Sequence, residues 1–224
     1  MPTLRACELA EAMRSACGNG SVAGGERLPQ IIGKIGDARE VMNGSVAMRQ
    51  LENQFEAAEL VGIPEPETFM QLPWAPEIGR FYCTLFRNRE EKENPGGFLT
   101  ADSRGNLRRL HEEFTKKHGT QLRIGTEPEM MWLKFDENGK PKDGFSKPYC
   151  YHIDQFESLR PVFMQVIEYC HAMGLDMIQG DHEDAPGQLE LNWTFDDVVR
   201  NADRLSTYRQ ICAQVARENN LIAC

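Results

Sequence analysis

From Gln188 to Trp193 polar and apolar side chains alternate without a break. Gln188, Glu190 and Asn192 fall on one face of a strand, and Leu189, Leu191 and Trp193 fall on the other. A strand written this way is buried on one side only. Its apolar row needs a covering layer, while its polar row, which carries a carboxylate, faces either solvent or a lined cavity. Neighbouring segments supply the cover. Leu107, Leu110 and Phe114 recur at helical spacing after Asp102 or Ser103, either of which can cap a helix, and Gly119 stands where a helix-ending glycine belongs. Phe156, Leu159, Phe163, Val166, Ile167 and Cys170 form the apolar stripe of a second helix, closed by Gly174. Asp196 opens a third, with Val198, Val199, Ala202, Leu205, Ile211, Cys212 and Val215 turned inward. Strands are predicted over roughly 121–135, 175–179 and 188–194, with another beginning at Leu221. From residue 121 the order is strand, helix, strand, strand, helix.

The first hundred residues carry weaker signals. Residues 4–13 read as a short amphipathic helix, 18–25 as a glycine- and serine-rich loop, and 45–60 as helix-compatible. Pro64, Pro66, Pro73 and Pro76 punctuate an extended region, and residues 80–86 have the composition of a strand. A charged stretch then ends in Pro95-Gly96-Gly97, which places a domain boundary there and gives domains 1–96 and 97–224. With 41% hydrophobic residues a core can be buried. Asp and Glu number 34 against 25 Lys and Arg, a net charge of −9 that argues against a nucleic-acid partner, which requires a basic face. The seven cysteines form no C-x-x-C pair and read as reduced, mostly buried thiols. Neither a signal peptide nor an apolar run of membrane-spanning length is found, so the expected location is the cytoplasm, with no membrane partner.

Two acidic stretches carry the candidate chemistry. Glu127 and Glu129 flank Pro128 within the predicted strand 121–135, and side chains two apart on a strand share a face. Like charges that close raise each other's pKa and repel unless a cation neutralises them. Alone, the pair reads as an exposed acidic pair on an edge strand marked by Pro128. The second stretch is Gly180-Asp181-His182-Glu183-Asp184-Ala185-Pro186-Gly187-Gln188-Leu189-Glu190, with Glu183 in a loop and Glu190 on the alternating strand. Carboxylate oxygens are preferred ligands of Mg²⁺ and Mn²⁺, and Glu129, Glu183 and Glu190 together offer three.

Gly125-Thr126-Glu127-Pro128-Glu129 resembles the G-x-E-x-E segment of glutamine synthetases, and His182 to Glu190 resembles that family's H-E-x-A-P-G-Q-x-E segment. Leu72-Pro73-Trp74 resembles its L-P-W element, and the three occur in the family's order over residues 60–224. The resemblance implies an α+β chain: a partial β-grasp-like N-terminal domain followed by the first half of a glutamine synthetase-type catalytic α/β domain. It implies a carbon–nitrogen ligase that uses ATP and Mg²⁺ or Mn²⁺ to join L-glutamate to ammonia or an amine through γ-glutamyl phosphate. By resemblance, Glu129, Glu183 and Glu190 hold one metal, and Glu129 also touches the substrate's amino group. Glu127 helps hold a second metal at the ATP phosphates. Glu183 serves the amine side as well, and Tyr151 is similar to a tyrosine lining that pocket. Tyr151 also reads as a packed aromatic before a helix, and His182 as either a supporting residue or a plain loop histidine. The absence of a phosphate-binding glycine loop fits a metal-based nucleotide site. Family members assemble as homo-oligomeric stacked rings with active sites between neighbours.

Two departures qualify the resemblance. Asn43-Gly44-Ser45-Val46 stands where the family carries D-G-S-S, and an amide there suits an organic amine better than ammonium. The family's remaining metal ligands, and the arginines that bind phosphate and glutamate, belong to its C-terminal half. The chain stops at an apolar strand and is read as a fragment, inactive by itself, whose full-length parent is active; ATP- and glutamate-dependent phosphate release by the 224-residue chain would overturn that expectation. A γ-glutamyl-amide synthetase for an organic amine and a non-catalytic truncated paralogue are the alternatives, separated by an amine panel and by the coding sequence after Cys224.

Overall fold

A computed structural model describes residues 61–86, 99–142 and 150–224. The helices expected over 4–13 and 45–60, the glycine-rich loop, the Asn43 stretch and the Pro95-Gly96-Gly97 boundary lie outside the described residues. The chain is mixed α/β and divides into two compact units, the first running to Arg109 and the second from Leu110 to Cys224.

In the first unit β1 (Val61–Pro64) pairs antiparallel with β4 (Cys83–Phe86), and β2 (Met70–Leu72) pairs with β3 (Ala75–Arg80). The Leu72-Pro73-Trp74 element forms the turn between β2 and β3. The single strand expected over 80–86 is instead interrupted at Phe81–Tyr82. There the Tyr82 N–H donates to the Thr68 hydroxyl at 2.9 Å and the Tyr82 carbonyl accepts from the Glu65 N–H at 2.9 Å, so one side chain and one backbone group satisfy Tyr82 in place of a ladder. Helix α1 (Ser103–His118) follows, its first turn receiving the Asp102 carboxylate, which accepts from the Arg104 N–H at 3.2 Å. Gly119, with φ +67°, takes the left-handed position after it.

Glu65 is the electrostatic centre of this unit. Arg104 and Arg108 both donate to its carboxylate, at 2.7 and 2.6 Å, and the side chain is 12% exposed. Burial alone pushes the carboxyl up, but donation from Arg104, Thr84 and Arg108 outweighs it and holds the group at about 2 against an ordinary 4.5. A depressed carboxylate stabilises the fold fully above its unfolded value and loses that contribution as pH falls through the folded one. Stability should therefore decline between pH about 4.5 and 2. Glu65→Gln should flatten that acid limb and cost about 2 kcal/mol at neutral pH, after discounting for the third-exposed Arg108. Urea titrations at pH 3, 5 and 7 measure both; an unchanged acid limb in the variant would show that the pair contributes nothing.

In the second unit β6 (Glu129–Phe135), β8 (Met177–His182), β9 (Gln188–Trp193) and β11 (Ile222–Ala223) form an antiparallel sheet in the order β11–β6–β9–β8, and β7 (Pro141–Lys142) pairs with the far end of β6. Helices α2 (Ile153–Ala172) and α3 (Val198–Glu218) pack on each other, α2 on β8 and α3 on β11. The alternation in β9 is realised: Leu189, Leu191 and Trp193 are buried, with Trp132 of β6, among Leu159, Val166, Tyr208, Ile211 and Val215. Gly180 of β8 lies under the Phe163 ring of α2, where a methyl group would collide with the ring.

Four expectations need correcting. The strand expected over 121–135 is two pieces, β5 (Arg123–Ile124) and β6, because Gly125 and Pro128 interrupt it. β5 pairs instead with β10 (Asp196–Asp197), and the third helix starts after these, with Asp197 accepting from the Val199 and Arg200 N–H groups. The buried face of α3 includes Asn201, Asp203, Arg204 and Thr207, while Val199, Ala202 and Leu205 are only half-buried. Polar groups are tolerated there because they are partnered. Arg204 donates to the Thr194 carbonyl at 3.0 Å and pairs with Asp196 at 3.3 Å and Asp176 at 3.4 Å. Of the described cysteines only Cys170 and Cys212 are buried. No described helix is long and apolar enough to cross a membrane.

Candidate functional site

The sheet's register assembles the acidic residues. Glu129 of β6 lies directly opposite Glu190 of β9, and Glu190 lies opposite Asp181 of β8. Directly opposed residues project to the same face, so three carboxylates form a row across three strands, on the side away from Leu189, Leu191 and Trp193. Glu183 joins them from the turn after β8. That turn is made by the A-P-G-Q run: the Glu183 N–H donates to the Gln188 carbonyl at 3.0 Å, the Gln188 N–H to the Ala185 carbonyl at 3.0 Å, and Gly187 has φ +78°. A side chain at Gly187 would strain this backbone, which explains a glycine between Pro186 and Gln188.

The result is a convergence of Glu129, Glu183 and Glu190, one carboxylate oxygen of each lying within 4.8 Å of the others. None of the three forms an ion pair with a described Lys, Arg or His. Amides orient them instead. Gln188 donates through Nε2 to Glu129 while its Oε1 accepts from the Ala185 N–H at 2.9 Å, and Asn192 donates to Glu190 at 2.7 Å. Burial, then the charges of Glu190, Glu129, Asp181 and Asp184, raise the Glu183 carboxyl above its ordinary value. Three acids held this close, with no ion pair to a described cationic side chain, could hold a hard divalent cation.

Glu127 is not in this group. It lies in the irregular link before β6 and is exposed, so the shared-face argument does not extend to it. Tyr151 is 72% exposed, which sets aside the packed-aromatic reading, and it has φ +62°. Its N–H donates to the His182 carbonyl at 2.9 Å, which ties it to the end of β8. A hydrogen bond with Cys150, then the charges of Cys150 and Glu183, push its phenol up to about 12, so the hydroxyl stays protonated beside the acids. His182 is a buried strand residue rather than a loop histidine, because β8 extends to it. Its ring lies on the apolar side, opposite Leu189. Gln188 and Asn192 are orienting groups that sequence reasoning placed on the right face without assigning a task. Asp181 required the register, which no sequence pattern prints.

The family model described as "Glutamine synthetase, catalytic domain" matches residues 100–224. Glutamate–methylamine ligase of Methyloversatilis universalis is 30% identical over 169 residues, covering 74% of this chain and 36% of that protein. Glutamine synthetase of Methanococcus voltae is 27% identical over 173 residues, covering 76% of this chain and 37% of its own length. A solved structure described as a GmaS/ADP complex superposes with a TM-score of 0.64 at 27% identity, over 75% of this chain and 38% of that one. The chain thus spans little more than a third of the length of the relatives it matches.

Proposed function

The chain belongs to the glutamine synthetase family, and from that premise we propose that it supplies the first half of the catalytic domain of an ATP-dependent ligase joining L-glutamate to ammonia or an amine. The observation that carries the reading is the meeting of Glu129, Glu183 and Glu190. In the family's terms the residues from about 97 onward open the catalytic domain.

A divalent cation held by Glu129, Glu183 and Glu190 would supply the positive charge that lets polyanionic ATP and the glutamate carboxylate approach one another. The overall chemistry conserves atoms in two steps. A γ-carboxylate oxygen of glutamate attacks the γ-phosphorus, ADP leaves, and γ-glutamyl phosphate remains. The neutral amine nitrogen then attacks the acyl carbon and inorganic phosphate leaves. The chain's own residues serve three tasks. Glu183, whose carboxyl is raised by burial and by the neighbouring acids, takes the proton that the ammonium form must lose. The Tyr151 hydroxyl borders the amine's approach. Glu129 accepts from the substrate's amino group, with Gln188 holding its free oxygen. Glu127 would help hold a second metal at the ATP phosphates, whose other ligands would come from the parent's C-terminal half. The parent acts as a homo-oligomer of stacked rings, and no nucleic acid or membrane takes part.

A small alkylamine as acceptor is the second reading, supported by the glutamate–methylamine ligase relative and by Asn43 in place of an aspartate. Phosphate release by the full-length parent, assayed with glutamate, ATP and a panel of ammonium, methylamine, ethylamine and a diamine, decides between acceptors. At least one amine should stimulate release by about 100-fold or more over the glutamate-only rate. Release that ignores every amine would remove the ligase reading.

A further inference from the structure

Resting on the metal reading, we infer that Asn201, buried on α3 and far in sequence from the segment it holds, is a positioning residue for Glu127–Glu129, acting through Thr126.

The link between β5 and β6 is four residues, Gly125-Thr126-Glu127-Pro128, and it makes no ladder of its own. Its ends are fixed. On one side Arg123 and Ile124 pair with Asp197 and Asp196, immediately before α3. On the other, the Pro128 carbonyl accepts from the Leu191 N–H at 3.4 Å and Glu129 enters register with Glu190. Among the described residues, one side chain bonds to its middle. Asn201 donates through Nδ2 to the Thr126 hydroxyl oxygen, while its Oδ1 accepts from the Trp193 indole N–H at 2.8 Å. Asn201 is 3% exposed and lies one turn into a helix whose start is capped by Asp197. Trp193, its other partner, is itself locked in the core beneath β9.

The amide therefore ties the buried core of the unit to the residue immediately before Glu127 and three before Glu129. Both ends of the carboxamide are used, one as acceptor and one as donor, and a side chain of similar size without both functions loses one contact. A link with no ladder hydrogen bonds moves readily unless something holds it, and an acid that must meet two others within a few ångströms tolerates little movement. Supporting groups behind metal ligands typically change affinity by about 10- to 100-fold when removed.

The test is Mn²⁺ binding to the 224-residue chain, followed by the EPR signal of free and bound ion. Thr126→Val, which keeps the shape of the side chain and leaves the Trp193–Asn201 contact intact, is expected to weaken binding about 10-fold and broaden the bound-ion spectrum. Thr126→Ser, which retains the hydroxyl, is expected to keep the wild-type affinity and spectrum. Asn201→Ala should weaken binding at least as much, and in Asn201→Ala/Thr126→Val the second change should add nothing. The near-UV circular dichroism of Trp193 reports whether each variant keeps its core. Folded Thr126→Val with wild-type affinity overturns the positioning role alone. A wild-type chain that binds no Mn²⁺ overturns the metal reading, and the positioning role with it.

Discussion

Glu190→Gln should weaken Mn²⁺ binding at least about 100-fold while making the metal-free protein more stable. The affinity loss corresponds to about 2.7 kcal/mol and follows from removing one of three anionic donors from the centre of the row. Glu190 is flanked on both sides, by Glu129 on β6 and Asp181 on β8, so no neighbour can replace it without breaking register. The stability gain has the same origin with opposite sign. After burial, the charge of Glu190 contributes most to raising the Glu183 carboxyl, so neutralising it relieves repulsion that a cation would otherwise balance. A glutamine is isosteric, and Asn192 still finds an oxygen to donate to. A rise in melting temperature of roughly 2–4 °C per kcal/mol relieved is expected without metal, with a much smaller Mn²⁺-induced shift than in the wild type. A residue that merely packs would lose stability on substitution and leave the metal shift unaltered.

Trp193→Ala should cost about 3–5 kcal/mol, a large share of the about 5–15 kcal/mol that holds an ordinary domain folded. Trp193 is 2% exposed, lies 5.4 Å from the Tyr208 ring between centroids, and donates its indole N–H to Asn201. Truncation opens a cavity and leaves the Asn201 oxygen buried without its donor, so two penalties add. Trp193→Phe should recover most of the packing but not the hydrogen bond, for a cost of about 1–2 kcal/mol. Chemical denaturation followed at 222 nm measures both. Equal stability of the alanine variant and the wild type would mean that the sheet is not held against α3 by this side chain.

Alternation from Gln188 to Trp193 was enough to place the apolar and polar faces of β9, because a half-buried strand admits only one assignment of rows. Helix ends were equally legible where glycine was required by a left-handed backbone, as at Gly119 and Gly174. What failed was anything that depended on partners distant in sequence. The Glu127-Pro128-Glu129 pattern suggested a shared strand face, yet the strand begins only at Glu129, since Pro128 has no N–H to offer a ladder. The buried polar side of α3 could not be read from periodicity. Asn201 and Arg204 are inside because Trp193, Asp196 and Asp176 await them, and those partners lie in other elements. His182 was hidden for a simpler reason: a strand edge moved by three residues converts a loop histidine into a core one.

The most direct measurement is anomalous diffraction from crystals of the protein soaked in Mn²⁺. A single strong peak within bonding distance of oxygens from Glu129, Glu183 and Glu190 together is the expected result. Density showing the three carboxylates turned to solvent, with manganese absent or bound elsewhere, would contradict the account at its root.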